Sequence, residues 1–289
     1  MTTRMARALQ RSAAADQAGH GVISDPLRLP FARILQEVRQ IRVSEAYRRL
    51  VQAGAAALSF GQQEAVYLDA VKGLTRHDLE VLVRSFRQLV LDMEDRPYTD
   101  LLGPLYMEIG HKLDKQYGGE FFTPQAISLL MARMNFSRDM FRAGEVLMCN
   151  EPAAGTGGMV LSTAQVLAED GISPLHMRWV VQDISAQSCW GAYINCTLWG
   201  IPAHVVCGNT LSLERRWEWR NRFWHMAKPW PTFEELQDQA DDQARTNQVI
   251  EAMRGFLATV SFQDQPKAKS KTEPLNPAAD FGPLFGGFQ

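Results

Sequence analysis

VLMCNEPAAGTGGM, residues 146–159, is the stretch on which the reading of this chain turns. Val146 to Cys149 is a short apolar run of the kind that forms a buried strand. It meets an acid, Glu151, and then the small-residue run Pro152 to Gly158. From Met159 to Glu169 the pattern is helical. A strand that opens through glycines into a helix lets a ligand approach the backbone, because Gly carries no Cβ.

Working outward, the same unit recurs. Trp179 to Gln182 reads as a second strand ending at Asp183, and Ser185 is a candidate N-cap for a helix to Gly200. His204 to Cys207 reads as a third strand ending at Gly208-Asn209. Strand and helix alternating with short links predict a parallel α/β sheet. Right-handed crossovers then bring the three carboxyl ends to one edge, where ligands of such sheets bind. Glu151, Asp183 and Asn209 all fall there.

Upstream, Pro30 to Asp95 has helical spacing, with a break at Gly61-Gln62-Gln63. Thr75 is a candidate cap for a helix Arg76 to Met93, whose apolar face is expected to carry Leu79, Leu82, Val83, Phe86, Leu89 and Val90. Asp100 to Gly118 is helix-prone with an early Gly-Pro break, and Thr123-Pro124 opens a helix Gln125 to Asn135. Downstream, residues 214–230 are crowded with Trp and Arg, a composition that suits either stacking on unpaired bases or a partly buried lid. Thr232 is a candidate cap for a helix Phe233 to Val260. The expected division is therefore a disordered start (1–25), a helical N-terminal region (26–118), an α/β core (119–230), a C-terminal helix (231–262) and a disordered tail (263–289).

Bulk composition excludes several classes. A net charge of −2 over 289 residues gives no global bias toward nucleic acid, so DNA contact requires a local face or a partner. No apolar run approaches a membrane span, and residues 1–21 lack the apolar core of a secretory signal, so a cytoplasmic, non-membrane protein is expected. None of the four cysteines forms a CxxC pair, so no metal site is expected, and their apolar flanks suggest buried thiols.

Three ligands compete for the glycine turn. A phosphate-binding loop requires a Lys after Gly157-Gly158, and none follows. A dinucleotide fingerprint beginning at Gly155 has Val160 where its third Gly belongs. An S-adenosylmethionine (SAM) pocket fits better, with acids ending the first two strands and Asp183 placed to take ribose hydroxyls.

The chain resembles the adenine-N6 DNA methyltransferases, specifically the modification subunits of type I restriction-modification systems. Gly119-Glu-Phe-Phe-Thr-Pro124 is similar to that family's G-[EQ]-F-[FY]-T-P. Glu151 to Gly158 is similar to its D-P-A-C-G-T-G-G turn. Asp183, then Asn195 with Gly200-Ile201, then Gly208 to Leu211, follow its order of acid, A-x-x-N-x-x-x-x-G-I and G-[DN]-[ST]-L. Asp100-Leu-Leu-Gly103 looks like the helix that precedes these motifs. The resemblance implies a Rossmann-like class I SAM-dependent methyltransferase core, its sheet complete or truncated, beside an all-helical N-terminal region. It implies SAM as cofactor and a pocket lined by Glu120, Phe121, Phe122, Thr123, Pro124, Gln125, Glu151, Ala153, Gly155, Thr156, Gly157, Gly158, Asp183, Ile184 and Asn209. Thr123 would donate to the methionine carboxylate, and Asn209 would bind the adenine edge. DNA and a specificity or other partner subunit are the implied partners.

The resemblance fails at one element. The family's catalytic [ND]-P-P-[FYW] accepts hydrogen bonds from the target amine and stacks on a flipped adenine. At its expected place stands Ala227-Lys228-Pro229-Trp230. Trp230 could stack, but Lys228 cannot accept a hydrogen bond. No separate target-recognition domain is expected in the remaining chain. Two readings follow: an adenine methyltransferase that completes its site with a partner, or a catalytically silent relative that binds SAM or other proteins.

Overall fold

The computed structural model describes residues 23, 25–113 and 122–259. Two compact units divide at Phe233. In the first, the described residues include, in chain order, the helices α1 (Pro30–Leu35), α2 (Val43–Ala57), α3 (Glu64–Val71), α4 (Arg76–Asp95) and α5 (Leu102–Leu113). The expected cap forms, with the Thr75 hydroxyl accepting from the Asp78 N–H at 3.2 Å. The buried face of α4 differs from the expected one. It runs through Val81, Leu82, Ser85, Leu89 and Met93, while Val83 is 42% exposed. Ser85 is tolerated inside because its hydroxyl donates to the Phe31 carbonyl at 2.9 Å. The expected break at Gly103-Pro104 does not occur. Pro104 lies in the first turn of α5, where its missing N–H removes no helical bond.

After α6 (Gln125–Asn135) come β1 (Leu147–Glu151), α7 (Gly158–Glu169), β2 (Met177–Asp183), α8 (Ala186–Leu198), β3 (Ala203–Cys207) and β4 (Trp217–Arg220). Strand order follows chain order, with β1, β2 and β3 parallel. Since both crossovers step the same way, their shared handedness puts α7 and α8 on one face. β4 returns antiparallel on β3. This strand lies in a segment that reads poorly as a buried strand. It forms because its alternation suits an edge: Trp219 is 7% exposed, while Glu218 and Arg220 face outward. Among the described residues the architecture is a mixed α/β core of four strands with a helical N-terminal region.

The helical region and the sheet share one hydrophobic core. Tyr98 stacks on Trp199 at 4.5 Å between ring centres, and the Tyr47 hydroxyl donates to the Leu102 carbonyl at 3.1 Å. Three of the cysteines are buried, and Cys149 is half-buried. Burial pushes the Cys149 and Cys196 thiols up to about 12, which makes both poor nucleophiles.

The second unit is described to Thr259, as α9 (Phe233–Thr259). Glu234 and Glu235 occupy its first turn, favourably placed for the helix dipole. Residues 241–250 are all exposed, Val249 and Ile250 among them. Among the described residues, no helix is long and apolar enough to cross a membrane. The expected disordered segments lie outside the described residues, apart from residues 23 and 25.

Candidate functional site

The carboxyl ends of the three parallel strands are tied together by hydrogen bonds, and Asp183 is the centre of the arrangement. One carboxylate oxygen accepts the Gly155 N–H at 2.8 Å, and the other accepts the Ser185 N–H at 2.8 Å. Its own carbonyl accepts the Gly208 N–H at 2.9 Å. The loop after β3 reaches back as well, with the Thr210 hydroxyl donating to the Pro152 carbonyl at 2.6 Å. Three loops that share no sequence neighbourhood are thereby fixed around one acid.

The glycine turn is shaped by what packs against it. Gly155 and Gly157 have φ of 54° and 90°, the left-handed region that L side chains rarely occupy. Gly157 is the N-cap of α7. A Cβ on Gly155 would strike the Phe122 ring, which lies against the turn. The face of Gly155 is therefore covered by protein, and any cofactor must use the rim beside it.

Under the turn sits a polar latch. Asp100 Oδ1 accepts from the backbone N–H groups of Leu102 and Gly103 at 3.0 and 3.1 Å, serving the free start of α5. It also accepts from Asn195 Nδ2 at 3.0 Å. Asp100 Oδ2 accepts from the Thr156 hydroxyl. Asn195 Nδ2 completes the circuit by donating to the Thr156 carbonyl at 2.8 Å. Thr156 is 1% exposed and Asn195 fully buried. Gly191 leaves room for it, since a Cβ there would lie 2.7 Å from Thr156 Cγ2. The sequence signal was Asp100 before a helix and Asn195 within an apolar one, but neither residue had been given a role.

The residues named from sequence divide accordingly. Glu151, Ala153, Gly155, Asp183, Ile184 and Asn209 are brought to the carboxyl edge. Ala153 and Ile184 are exposed there, Ile184 by 56%. Asn209 spends its side-chain oxygen on the Leu211 N–H at 2.9 Å, which leaves its amide donors for a ligand. Thr156 faces inward to the latch. Phe122 packs on the turn, Thr123 and Pro124 are exposed, and Gln125 donates to the Thr99 hydroxyl at 3.2 Å. Glu120 and Phe121 lie outside the described residues. Near the edge, Cys189 and Cys207 interact. The contact with Cys207, then burial, raises the Cys189 thiol. The contact with Cys189 pulls Cys207 down against its burial, and Arg216 helps.

Lys228, Pro229 and Trp230 are not brought to this edge. Trp230 pairs with Ala143, ahead of β1, and the Lys228 N–H donates to the Leu175 carbonyl ahead of β2. They stand at the amino end of the sheet, with Trp230 packed against Phe141, His176 and Arg138. The other tryptophans of this segment are engaged too. Trp217 stacks on Trp190, Trp219 meets Tyr193 edge-on, and Trp224 lies beneath Arg178 and Arg220. They close the sheet rather than present rings for bases or form a lid.

The family model described as N-6 DNA Methylase matches residues 98–249, more than half of the chain. No curated protein matches the chain. Among solved structures it is similar to the type I restriction-modification system methyltransferase subunit from Streptococcus thermophilus. Identity is 16% and the TM-score 0.31, over 69% of this chain and 49% of the other. The chain thus spans about half the length of that solved relative. On the family match, the chain belongs to the N-6 DNA methylase family.

Proposed function

We propose that this member of the N-6 DNA methylase family holds SAM at its carboxyl edge for methyl transfer to adenine N6 in DNA, and that a second chain completes the site. The observation that carries the reading is Asp183, which joins the glycine turn, the start of α8 and the loop after β3. Each carboxylate oxygen keeps acceptor capacity beyond its one backbone bond, enough to take the ribose hydroxyls. Ile184 supplies exposed apolar surface for an adenine ring, and the Asn209 amide donates to that ring's edge. Glu151 and Asp183 make the rim acidic, which favours a cationic ligand over a phosphate. Thr123 donates to the methionine carboxylate. When bound, SAM supplies an electrophilic methyl group on a sulfonium.

Among the described residues, the segment expected to carry the catalytic acceptor is not at this edge, because Lys228 to Trp230 stand at the opposite end. β1 offers a place for the missing part. It pairs with β2 alone among the described strands, and beside its free side Met148 is 56% exposed and Asn150 is exposed. Such an edge takes an added strand. A modification-type or specificity subunit bearing the acceptor is the partner we assign, acting with DNA in the cytoplasm.

Titration calorimetry with SAM tests the cofactor step. Wild type binds, and Asp183→Ala loses at least about tenfold in affinity, as expected when a hydrogen-bonded carboxylate is removed. Transfer of labelled methyl groups to DNA tests the second step, with transfer expected only when the partner subunit is added. SAM binding without transfer under any partner condition sinks the enzymatic reading. Absence of SAM binding sinks both.

A further inference from the structure

A cavity of ≈570 Å³ lies between the turn joining α2 to α3 and the β3–β4 edge. It is remote from the carboxyl edge, since His204 and its partner Arg220 stand at the amino end of β3. Its volume falls in the range of small-molecule sites.

Three features of its wall point to a ligand. The first is charge. Arg220 and Arg222 line the cavity, and neither makes an ion pair with a carboxylate among the described residues. The one acid in the wall, Glu218, is shared with Arg215 at 3.3 Å. Both arginines lie over rings, Arg220 over Trp224 at 5.6 Å and Arg222 over Phe60 at 5.0 Å. A ring contact restrains the side chain while the guanidinium keeps N–H donors for a planar or tetrahedral anion.

The second is an unsatisfied buried group. His204 is 7% exposed, and its Nε2 makes no hydrogen bond, although Glu218 Oε2 lies 3.2 Å away out of line. A buried polar atom whose one near neighbour is out of line gains from a better-placed partner, which a ligand atom in the cavity would supply. Burial holds the imidazole below its ordinary pKa, partly offset by Glu218, so it is neutral at pH 7. The third is strain. Phe60, at the rim, has φ of 55° and is 67% exposed, an arrangement that folding alone does not favour in an aromatic residue.

We propose that this cavity is a second ligand site, for a phosphate-bearing small molecule of mononucleotide size, with the phosphate on Arg220 and Arg222 and polar groups facing Glu218 and Nε2 of His204. A bound molecule bridges the helical region and the sheet edge, so occupancy stabilises their contact.

The test uses the full chain and AMP. Calorimetry is expected to show one AMP bound, with inorganic phosphate competing weakly and adenosine failing to compete. Arg220→Gln with Arg222→Gln is expected to weaken AMP at least about tenfold, because two charge-assisted contacts are lost. Both side chains are exposed, so the unliganded melting curve should not move. Asp183→Ala is expected to leave AMP affinity unchanged, which separates this site from the proposed cofactor site. The His204 ring signals should shift on titration with AMP in an NMR spectrum. AMP binding that is lost in Asp183→Ala but kept in the arginine variant overturns the proposal. So does the absence of AMP binding, or a His204 signal that does not respond. Displacement of AMP by a short DNA duplex through the same arginines would also overturn it, by assigning the cavity to a DNA backbone.

Discussion

Removing the Asp100 carboxylate should destabilise the first unit through the latch beneath the glycine turn. In Asp100→Ala the first N–H groups of α5 lose their side-chain acceptor, a loss of about 1 kcal/mol. The Thr156 hydroxyl, 1% exposed, loses its acceptor, and one Asn195 N–H is stranded in a fully buried position. Each stranded donor costs about 1–3 kcal/mol, reduced by whatever rotation finds another acceptor. A total of about 3 kcal/mol is expected. Urea denaturation followed by circular dichroism reads this as a midpoint lowered by about 1 M at unchanged slope. Thr156→Ala removes the hydroxyl itself and should cost about 1–2 kcal/mol, since Asp100 is half-buried and can take water instead. The double variant decides the matter. In Asp100→Ala with Thr156→Ala no hydroxyl is left stranded, so the two losses should fall short of their sum by about 1 kcal/mol. Additivity within about 0.3 kcal/mol would refute the latch as a cooperative unit.

The remaining expectations are simpler. In Gly208→Ala the new Cβ would meet the Glu214 carbonyl and lie 3.0 Å from Arg215 Cα, backbone that cannot swing aside. A loss of about 1–3 kcal/mol in denaturation and weaker SAM binding should follow. Glu45 is held at about 2 by its hydrogen bonds from Arg48 and Arg49, against the ordinary 4.5. A depressed folded pKa gives stability that is present above pH 4.5 and lost as pH falls toward 2. Because the side chain is 33% exposed, that contribution is discounted to about 1 kcal/mol, and Glu45→Gln should flatten the acid limb of stability between those values. Trp230→Phe should leave SAM affinity within about twofold, because the ring lies the length of β1 away from Glu151, at least about 13 Å. A large loss in calorimetry without unfolding would contradict that placement.

What could be read in the sequence was what local chemistry dictates. The alternation of apolar runs and capped helices located β1, β2 and β3 to within two residues, because a buried parallel strand leaves a continuous apolar signature. The caps Thr75 and Ser185 were legible because a hydroxyl before a helix has one dominant use. β4 was missed because Glu218 and Arg220 dilute the apolar signal of an edge strand, while Trp217 and Trp219 alone supply the buried side. The fate of Trp230 was not legible at all. A Trp after Pro reads the same whether it faces a base or packs on Phe141, and only the bridge to Ala143 distinguishes them. Thr156 is a similar case. Its neighbours in sequence are glycines that suggest an open turn, yet its partners are Asp100 and Asn195, one before the sheet and one beyond β2.

Binding a cofactor and accepting a base are separable in this fold because different structures carry them. The carboxyl edge is held by backbone N–H groups of Gly155, Ser185 and Gly208 converging on Asp183, and by the latch below. None of these contacts involves the segment after β4. That segment could therefore take another form without disturbing the edge, and it is used instead to close β3 and to pack the amino end around Trp230. On the proposed function, a chain without the acceptor motif at this edge needs a partner for catalysis while its ligand geometry stays intact. The free side of β1 adjoins Glu151, so a strand added there ends beside the glycine rim. On the proposed function, a second chain that supplies the acceptor from that position adds one element to a site whose other contacts are already in place.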